Sequence, residues 1–271
     1  METMWPKSLF NKISNTKSKA WNVLGISFFE IGHIPTRVNQ QLLEKFLENI
    51  PSHSKCCIVG ASTLNLIKAS IERGLNTTVV DFSAKMCKEL RRHLGQSKNL
   101  CTIKLCDMTN VKDVLKVFKH KYDYILTDQV INCFNNHELD SFLQNISKIL
   151  EPSGEFRVLV NIGLYDIDNR LITKGKELGT VNNFFDPNLF IIDYSKAVNE
   201  LKAIFPKKLF RHKLCNYYSR KGVEMRFADT GIDENMLNHN ITNGKFKIID
   251  ALATDNISKS ILYRIKWLPN D

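Results

Sequence analysis

Residues suited to holding a nucleoside follow three apolar segments of the chain. Gly60 ends the apolar run 55–59, and a glycine there allows a ligand to approach the backbone closely. Asp81 lies 21 residues later, where a carboxylate at the end of a second strand can accept hydrogen bonds from both hydroxyls of a ribose. Asp107 and Met108 follow a third apolar run, so a carboxylate and an apolar side chain could bracket the edge and the face of an adenine. These residues predict a site for a nucleoside-containing small molecule.

The elements that must position these residues alternate between buried strands and amphipathic helices. Residues 64–73 carry apolar side chains at helical spacing, and Gly74 is placed to end that helix. The strand-like runs are apolar throughout, which is typical of a parallel sheet with helices on both faces. Ligands of such sheets bind outside the carboxyl ends of the strands. We predict strands over 55–60, 77–81, 101–106, 122–127 and 155–162, with helices over 64–73, 84–94, 110–118 and 137–150 between them.

The C-terminal third has a different pattern. Residues 246–254 and 260–268 are typical of two long strands, and we expect them to form an antiparallel pair. Residues 163–194 are rich in Asn, Asp and aromatic residues without a clear period, which predicts an ordered loop or insertion. The other predicted elements are a helix over 194–205, a short helix over 234–239, and a β-hairpin formed by 209–218 and 223–228 around Arg220-Lys221-Gly222.

Composition restricts the class of protein. A chain of 271 residues with 43% hydrophobic and 24% charged residues can bury a full core, which excludes a disordered chain. No apolar run approaches the roughly 18 residues that span a bilayer, and the N-terminus has no apolar signal core. We therefore expect a cytoplasmic protein without a membrane partner. Seven cysteines without a CxxC pair predict no metal site.

The formal charge of +10 leaves two interpretations open. The excess is spread along the chain except between Lys207 and Lys221, where basic residues alternate with Phe210, Tyr217 and Tyr218. Basic residues interleaved with aromatic rings are typical of a nucleic-acid surface, but a solvated hairpin has the same composition. We favour the hairpin, and a nucleic-acid partner stays the second interpretation. The sequence does not predict an oligomeric state.

Several motifs, in order and at matching spacing, resemble those of class I S-adenosylmethionine-dependent methyltransferases. The resemblance covers about residues 38–163 and 246–268. It is carried by Asp81-Phe82-Ser83, Asp107-Met108, Tyr122-Asp123-Tyr124-Ile125, the turn from Leu150 to Gly154, and the closing strand pair. It implies an α/β fold with a Rossmann-like open sheet, mostly parallel with an antiparallel C-terminal strand and with helices on both faces. It also implies S-adenosyl-L-methionine as the cofactor.

The first glycine-rich turn departs from the family pattern. The family has an acidic residue two places before the first glycine and at least one further glycine after it. In this chain Ile58, Ser62 and Leu64 stand at those positions, and Gly60 alone remains. We therefore expect altered contacts to the methionine end of the cofactor. The GxGxxG pattern of a dehydrogenase is absent as well.

The resemblance implies cofactor contacts position by position. Asp81, which we expect to be exposed at its strand end, would bind the ribose hydroxyls beside Phe82. Asp107 would accept a hydrogen bond from the adenine amino group, with Met108 against the ring. The aminocarboxypropyl portion would be lined by Gly60, Ala61 and Ser62, with its amine near Thr127 and Asp128. Both carboxylates also have a structural interpretation, because Asp81 and Asp107 could each cap the helix that follows.

The family places contacts to the reactive centre after the fourth and fifth strands. Asn132 and Tyr165 stand there, and we predict that they position the reactants, since no catalytic triad or metal cluster is evident. We divide the chain into an N-terminal helical lid, residues 1–35, and a methyltransferase-like domain, residues 36–271. An insertion at about 163–245 would shape the substrate pocket. Aromatic residues could roof the site or only pack within a cap: Trp21, Phe28, Phe29, Tyr165, Phe184 and Phe185.

Three functions follow from these expectations. The first is methylation of a small molecule. The second keeps the fold and the cofactor but releases methylthioadenosine, by aminocarboxypropyl transfer or by closure of the cofactor's own amine into azetidine-2-carboxylate. The altered glycine turn is the sequence feature that favours this class, and aromatic faces could hold the sulfonium. The third is methylation of RNA or DNA, which Lys207–Lys221 favours but which lacks an N-P-P-[YF] motif.

Overall fold

The large sheet of the protein has seven strands in the order β3-β2-β1-β4-β5-β10-β9. The computed structural model describes residues 17–23, 38–205, 211–228, 230–254 and 259–270. Strands β1 to β5 pair in parallel, whereas β10 is antiparallel to both β5 and β9. The α/β fold class, the mostly parallel sheet and the antiparallel C-terminal strand are therefore confirmed.

The strands of this sheet are Lys55–Val59 (β1), Asn76–Asp81 (β2), Cys101–Leu105 (β3), Tyr122–Asp128 (β4), Leu150–Asn161 (β5), Gly244–Thr254 (β9) and Ser260–Pro269 (β10). A three-stranded sheet contains Phe185–Asp186 (β6), Ile191–Asp193 (β7) and Val223–Met225 (β8). Residues 17–23 form helix α1. The other helices are Gln40–Leu47 (α2), Leu64–Glu72 (α3), Ala84–Leu94 (α4), Val111–Val117 (α5), Asn136–Ile149 (α6), Asp166–Leu178 (α7), Val198–Ile204 (α8), Arg211–Lys221 (α9) and Glu234–Asn238 (α10).

The two faces of the large sheet bury separate apolar clusters. In β1, Cys56 and Ile58 join the cluster formed with α2, α3 and α4, whereas Cys57 and Val59 join the cluster formed with α5 and α6. All four side chains are buried. A strand that is covered on both sides must be apolar at successive positions, which explains the uninterrupted apolar runs of the sequence.

Two predictions for the C-terminal third are wrong. Residues 166–178 form helix α7 rather than a loop, because Leu171 and Ile172 are one apolar side of a helix that packs into a third core cluster. Of the predicted hairpin strand at 209–218, residues 211–218 instead lie in helix α9. The side chains of Leu214, Tyr217 and Tyr218 pack at helical spacing into the core. Gly222, with a φ of +71°, follows the helix and leads into β8.

The insertion between β5 and β9 contains α7, the small sheet, α8, α9 and α10. Most of the predicted lid, including Phe28 and Phe29, and part of the basic stretch, including Phe210, lie outside the described residues. The proposed division at residues 1–35 and 36–271 stays a prediction.

Candidate cofactor site

The turn after β1 is shaped by a glycine that no other residue could replace without strain. Gly60 has a φ of +105°, and a Cβ atom at this position would lie 3.0 Å from Cγ2 of Val130 in the loop after β4. The Gly60 amide donates to the Val80 carbonyl at 2.8 Å, which fixes the turn against β2. The loops after β1 and β4 thus meet at the point where the strand order reverses, the usual ligand position in such sheets.

Asp81 ties the turns after β1 and β2 together. Its Oδ2 accepts from the Ala61 amide at 2.8 Å, and its Oδ1 accepts from the Ser83 amide at 2.7 Å. The residue is only 9% exposed, so the expectation of an exposed carboxylate is wrong. Burial raises the pKa of Asp81 to about 6, although the two amide donors oppose the shift. Each carboxylate oxygen can still accept a second hydrogen bond, so this geometry is compatible with ribose hydroxyls.

Helix α1 lies against the same turn. The Ser18 hydroxyl donates to the Phe82 carbonyl at 3.3 Å, and the Ser83 hydroxyl donates to Oδ1 of Asn22 at 2.7 Å. Phe82 itself is half-buried. The described part of the N-terminal segment therefore covers the Asp81 side of the crevice.

Three buried residues near the ends of β1 and β4 have polar side-chain atoms without a partner among the described residues. Thr63, Thr127 and Asp128 are each at most 5% exposed. Their hydroxyls and both carboxylate oxygens of Asp128 make no hydrogen bond to the described part of the chain. Burial raises the pKa of Asp128 to about 7, and the nearby Thr63 hydroxyl opposes this only in part. Buried polar groups are nearly always paired in native proteins, so this group is suited to a polar ligand.

The predicted adenine contacts occupy a tight turn after β3. Oδ1 of Asp107 accepts from the Thr109 amide at 2.9 Å and from the Thr109 hydroxyl at 2.7 Å. Met108 is buried in the core cluster, and its carbonyl accepts from Nδ2 of Asn145 at 3.0 Å. Asp107 therefore has a structural role in its turn, and its contact with adenine stays a prediction.

The two predicted positioning residues are both held by neighbours. The Asn132 amide group pairs with the backbone of Asn161, donating to its carbonyl at 2.8 Å and accepting from its amide at 3.0 Å. The Tyr165 hydroxyl donates to Oε1 of Gln129 at 3.1 Å, and the guanidinium of Arg226 lies 4.7 Å from the centre of the Tyr165 ring. Asn132 thus joins the loops after β4 and β5, and Tyr165 joins the insertion to the loop after β4.

Gln129 was missed by the sequence analysis, although it lies beside Asp128. It is buried and has a φ of +53°, a left-handed conformation that is uncommon for residues other than glycine. Thr63 was missed as well. The position of Thr63 directly after the Gly60 turn is visible in the sequence. The hydrogen bond of Gln129 to a residue 36 positions away is not.

The insertion contains a buried network of charged groups. Arg226 donates to Asp168 at 2.6 Å and to Glu224 at 3.0 Å, and Lys221 pairs with the same Glu224 at 2.9 Å. Tyr194 donates to Asp168 and accepts from Arg226. Two acids and two bases share this region. Their alternation in space satisfies most of their hydrogen-bonding capacity, although Oε1 of Glu224 is unpaired among the described residues.

Within the described part of the basic stretch, Lys221 and Tyr217 are buried, whereas Lys213 and Arg220 are exposed. Lys221 is 8% exposed, and its ammonium group lies 5.2–5.5 Å from the ring centres of Tyr194, Tyr217 and Tyr218. Tyr217 is buried and contacts Trp21 edge to face, with 5.4 Å between the ring centres. These aromatic rings make cation–π contacts with a lysine of the same protein rather than stacking on a nucleobase.

The aromatic residues predicted as a roof separate into two groups. Phe184 is buried in the core cluster of the insertion, and Phe185 packs against that cluster, so both are part of the insertion core. Tyr165 contacts the loop after β4 through Gln129, and Trp21 packs against Tyr217 of helix α9.

Lys17 anchors helix α1 on the other side of the crevice. Its ammonium group forms an ion pair with Glu138 at the start of α6 and donates to the Cys133 carbonyl at 2.6 Å. Both side chains of the pair are less than one-tenth exposed. Glu138 also accepts from the Asn135 amide as part of a capping box. Helix α1 thus contacts both the Asp81 turn and the loop after β4.

Comparisons with known proteins agree with this architecture. Residues 56–154 match the model of a family described as a methyltransferase domain. A crystal structure from Rhodobacter sphaeroides, described as a putative zinc-dependent alcohol dehydrogenase, is 31% identical with a TM-score of 0.82, and the match covers 95% of this chain and 100% of that one. The magnesium protoporphyrin IX methyltransferase of Synechocystis, solved with bound S-adenosylhomocysteine, is 13% identical with a TM-score of 0.57, covering 93% and 98%. A comparison with curated proteins finds no match.

Residues 56–154 thus match a methyltransferase domain, and the chain has the fold of class I S-adenosylmethionine-dependent methyltransferases. The CcbJ methyltransferase of Streptomyces caelestis shares the fold too, with 11% identity, a TM-score of 0.61 and coverage of 93% and 99%. Such distant likenesses show the fold alone. Within the described ranges, no three His, Cys, Asp or Glu side chains converge as a metal site.

The site of this methyltransferase fits S-adenosyl-L-methionine, the cofactor of the superfamily. Gly60 leaves room for close approach, Asp81 has acceptor capacity for a ribose, and Asp128 presents unpaired oxygens near the Thr63 hydroxyl. No helix in the described part of the chain has the length and apolar character needed to cross a membrane.

Proposed function

We propose that this methyltransferase transfers the methyl group of S-adenosylmethionine to a small molecule. The observation that carries the proposal is the unpaired, buried Asp128 carboxylate with the Thr63 hydroxyl nearby. An ammonium group is the partner that best satisfies a buried carboxylate, because it supplies both a charge and several donors. We therefore assign the amine of the cofactor to Asp128, and its ribose to Asp81.

The chemistry supplied by the cofactor is an electrophilic methyl group on a sulfonium. The protein contributes orientation, through Asp81 and Asp128, and exclusion of water. Ala61 and Ser62, in the Gly60 turn, are assigned to the aminocarboxypropyl chain, with Phe82, Asp107 and Met108 at the nucleoside. Asn132 and Tyr165 are assigned as positioning residues, because the hydrogen bond of each side chain fixes the loop after β4.

A small acceptor is supported by the cover over the crevice. Helix α1 reaches the Asp81 turn and the loop after β4, and the insertion reaches Gln129 through Tyr165. A crevice bounded on both sides suits a compact molecule better than a polymer. The burial of Lys221 and Tyr217 removes two residues from the proposed nucleic-acid surface. The proposed location is the cytoplasm, which agrees with seven unpaired cysteines.

The first test separates cofactor binding from protein stability. Asp128→Asn should weaken binding of S-adenosylmethionine by roughly ten- to a hundredfold, as expected for loss of a charge-assisted hydrogen bond. Binding to the unaltered protein should strengthen as pH rises from 6 to 7.5, because Asp128 ionises in this range. Asp123→Asn is the matched control, since Asp123 lies at the opposite end of β4 and accepts from the Lys55 amide. Calorimetry that finds equal affinities for both variants would contradict the assignment of the amine.

The second test identifies the bond that breaks. The protein is incubated with S-adenosylmethionine and a panel of metabolites, and the products are separated by chromatography. Release of S-adenosylhomocysteine supports methyl transfer. Methylthioadenosine would instead support aminocarboxypropyl transfer if it requires an acceptor, or ring closure to azetidine-2-carboxylate if it does not. A salt-dependent mobility shift with RNA or DNA would favour the nucleic-acid alternative.

A further inference from the structure

The end of the large sheet beyond β2 carries most of the excess positive charge. Residues 84–121 contain ten Lys and Arg residues and three Asp and Glu residues, a formal charge of +7 out of +10 for the whole chain. These residues form α4, β3 and α5, with their connections, and we call this region the β3 edge. The expectation of an excess spread along the chain outside Lys207–Lys221 is therefore wrong, because this one segment is strongly basic.

The exposed cations of the β3 edge surround the terminal strand. Helix α4 packs through Leu90 on one face of the sheet, and α5 packs through Val114 on the other, with β3 between them. The region therefore carries exposed cations on both helices that flank the terminal strand. Its exposed basic residues are Lys85, Lys88, Arg91, Arg92, Lys98, Lys112, Lys116 and Lys119.

Aliphatic side chains are exposed among these cations. Leu100, Leu105 and Leu115 are 64%, 55% and 61% exposed, and Val111 is 40% exposed. Val111 and Leu115 lie one turn apart on α5, beside Lys112 and Lys116. Half of the large apolar side chains that are exposed within the described ranges thus lie in this one region. Such clustering in a charged surface is typical of an interaction site.

The chemistry of the β3 edge favours a protein partner over nucleic acid or a membrane. A nucleic-acid surface uses exposed aromatic rings for stacking, and Phe118, the one Phe, Tyr or Trp between residues 84 and 121, is buried. The cations of α4 and α5 lie on opposite faces of the sheet, so a flat membrane would contact one set and leave the other unused. Exposed leucines ringed by lysines complement a protein surface in which carboxylates surround aliphatic groups.

We propose that the β3 edge docks an acidic protein through Leu115 and the lysines around it. The interaction does not depend on the proposed acceptor of the methyl group. Electrostatic attraction would speed the encounter, and burial of the leucines would give the complex its specificity. Because Lys112 and Lys116 flank the aliphatic strip, reversing both charges should repel such a partner.

The test uses a designed helical peptide with Glu and Leu on one face as the probe, labelled for fluorescence anisotropy. Lys112→Glu/Lys116→Glu should weaken its binding by about tenfold or more, and Leu115→Ser by about fivefold. Lys245→Glu/Lys247→Glu reverses two exposed charges on β9, the opposite edge, and should change binding less than about twofold. Circular dichroism and unchanged binding of S-adenosylmethionine verify that the variants fold.

Three results would overturn the proposal. The first is equal weakening by the β9 control, which would show a response to net charge alone. The second is equally tight binding of a peptide with Ser in place of Leu, which would remove the role of the aliphatic strip. The third is tighter binding of phosphatidylglycerol vesicles or single-stranded RNA through the same lysines, which would identify a partner of another class.

Discussion

Two regions of this methyltransferase bury charged side chains, and they treat them in opposite ways. In the insertion, Asp168 and Arg226 are almost fully buried and each meets an oppositely charged partner. At the end of β4, Asp128 is equally inaccessible, but neither of its oxygens has a partner among the described residues. Burial is therefore common to both regions, and the difference lies in the pairing. In the insertion, paired charges stabilise the fold, whereas the unpaired carboxylate at the end of β4 is available to a ligand.

The largest expected effect is the removal of one partner from the paired network. Arg226→Met should lower the free energy of unfolding by about 3–5 kcal/mol. The buried Asp168 would lose its cation, and Glu224 would keep only Lys221. Urea unfolding measures this change. Lys174→Met, which removes an exposed ion pair with Glu177, is the control and should cost less than about 1 kcal/mol. Similar small losses in both variants would erase the proposed difference between the regions.

A smaller effect is expected at Asp81, which combines the properties of both regions. Asp81→Ala should weaken cofactor binding by about one to two decades, as expected for a charge-assisted hydrogen bond to the ribose. It should also destabilise the fold by roughly 1–3 kcal/mol, because the Ala61 and Ser83 amides lose their acceptor. Asp81→Asn keeps one acceptor oxygen and should lose less of both. Calorimetry and urea unfolding on the same samples would show whether binding and stability change together, and a folded Asp81→Ala protein with full affinity would refute the ribose assignment.

Asp128 should give a change of the opposite sign in the ligand-free protein. Its pKa is raised from 3.8 to about 7, so the folded state keeps a proton that the unfolded state has already released. Stability should therefore fall as pH rises from about 4 to 7 and stay low above that range. Asp128→Asn should remove this loss and stabilise the protein at pH 8 by on the order of 2 kcal/mol.

The measurement is urea unfolding at pH 5 and pH 8 without cofactor. Asp123→Asn, at the other end of β4, should leave the difference between the two pH values unchanged. A destabilised Asp128→Asn protein at pH 8 would mean that Asp128 has a stabilising partner within the fold. In that case the contrast between the two regions would disappear.

The smallest expected effect concerns the link between the regions. Tyr165→Phe removes the hydrogen bond to Gln129 but keeps the ring beneath Arg226. One neutral hydrogen bond contributes about 1 kcal/mol, so kcat/KM for methyl transfer should fall by less than about tenfold. Steady-state kinetics would detect this, and a loss of several decades would give Tyr165 a direct part in the chemistry.

The sequence supported prediction of the sheet and of its ligand edge, but not of the insertion. The strands of the sheet are apolar on both faces, which is a local property, and Asp81 and Asp128 directly follow such runs. Helices α7 and α9 pack into the core cluster of the insertion and not against the large sheet alone. Their apolar sides are therefore narrow and are interrupted by Asp, Asn and Tyr. Their amphipathic pattern was therefore missed.

The candidate site was only partly predictable for a similar reason. Gly60 and Asp81 stand at the ends of apolar runs, with a spacing that can be recognised in the sequence. The environment of Asp128, in contrast, depends on Thr63, which follows another strand. The pairing of Arg226 with Asp168 spans 58 residues, and that of Tyr165 with Gln129 spans 36. Contacts of this kind depend on the folded insertion and leave no local pattern in the sequence.

Helix α1 has a mechanical consequence for the crevice. Asn22 and Ser18 are attached to the turn after β2, and Lys17 is attached to Glu138 and Cys133 beyond β4. These attachment points lie on either side of the reversal of strand order between β1 and β4. The helix therefore works as a short strap across the two halves of the sheet. Any motion that widens the crevice must pull on this helix at both ends. A large opening therefore breaks either the Lys17–Glu138 ion pair or the hydrogen bond between Asn22 and Ser83.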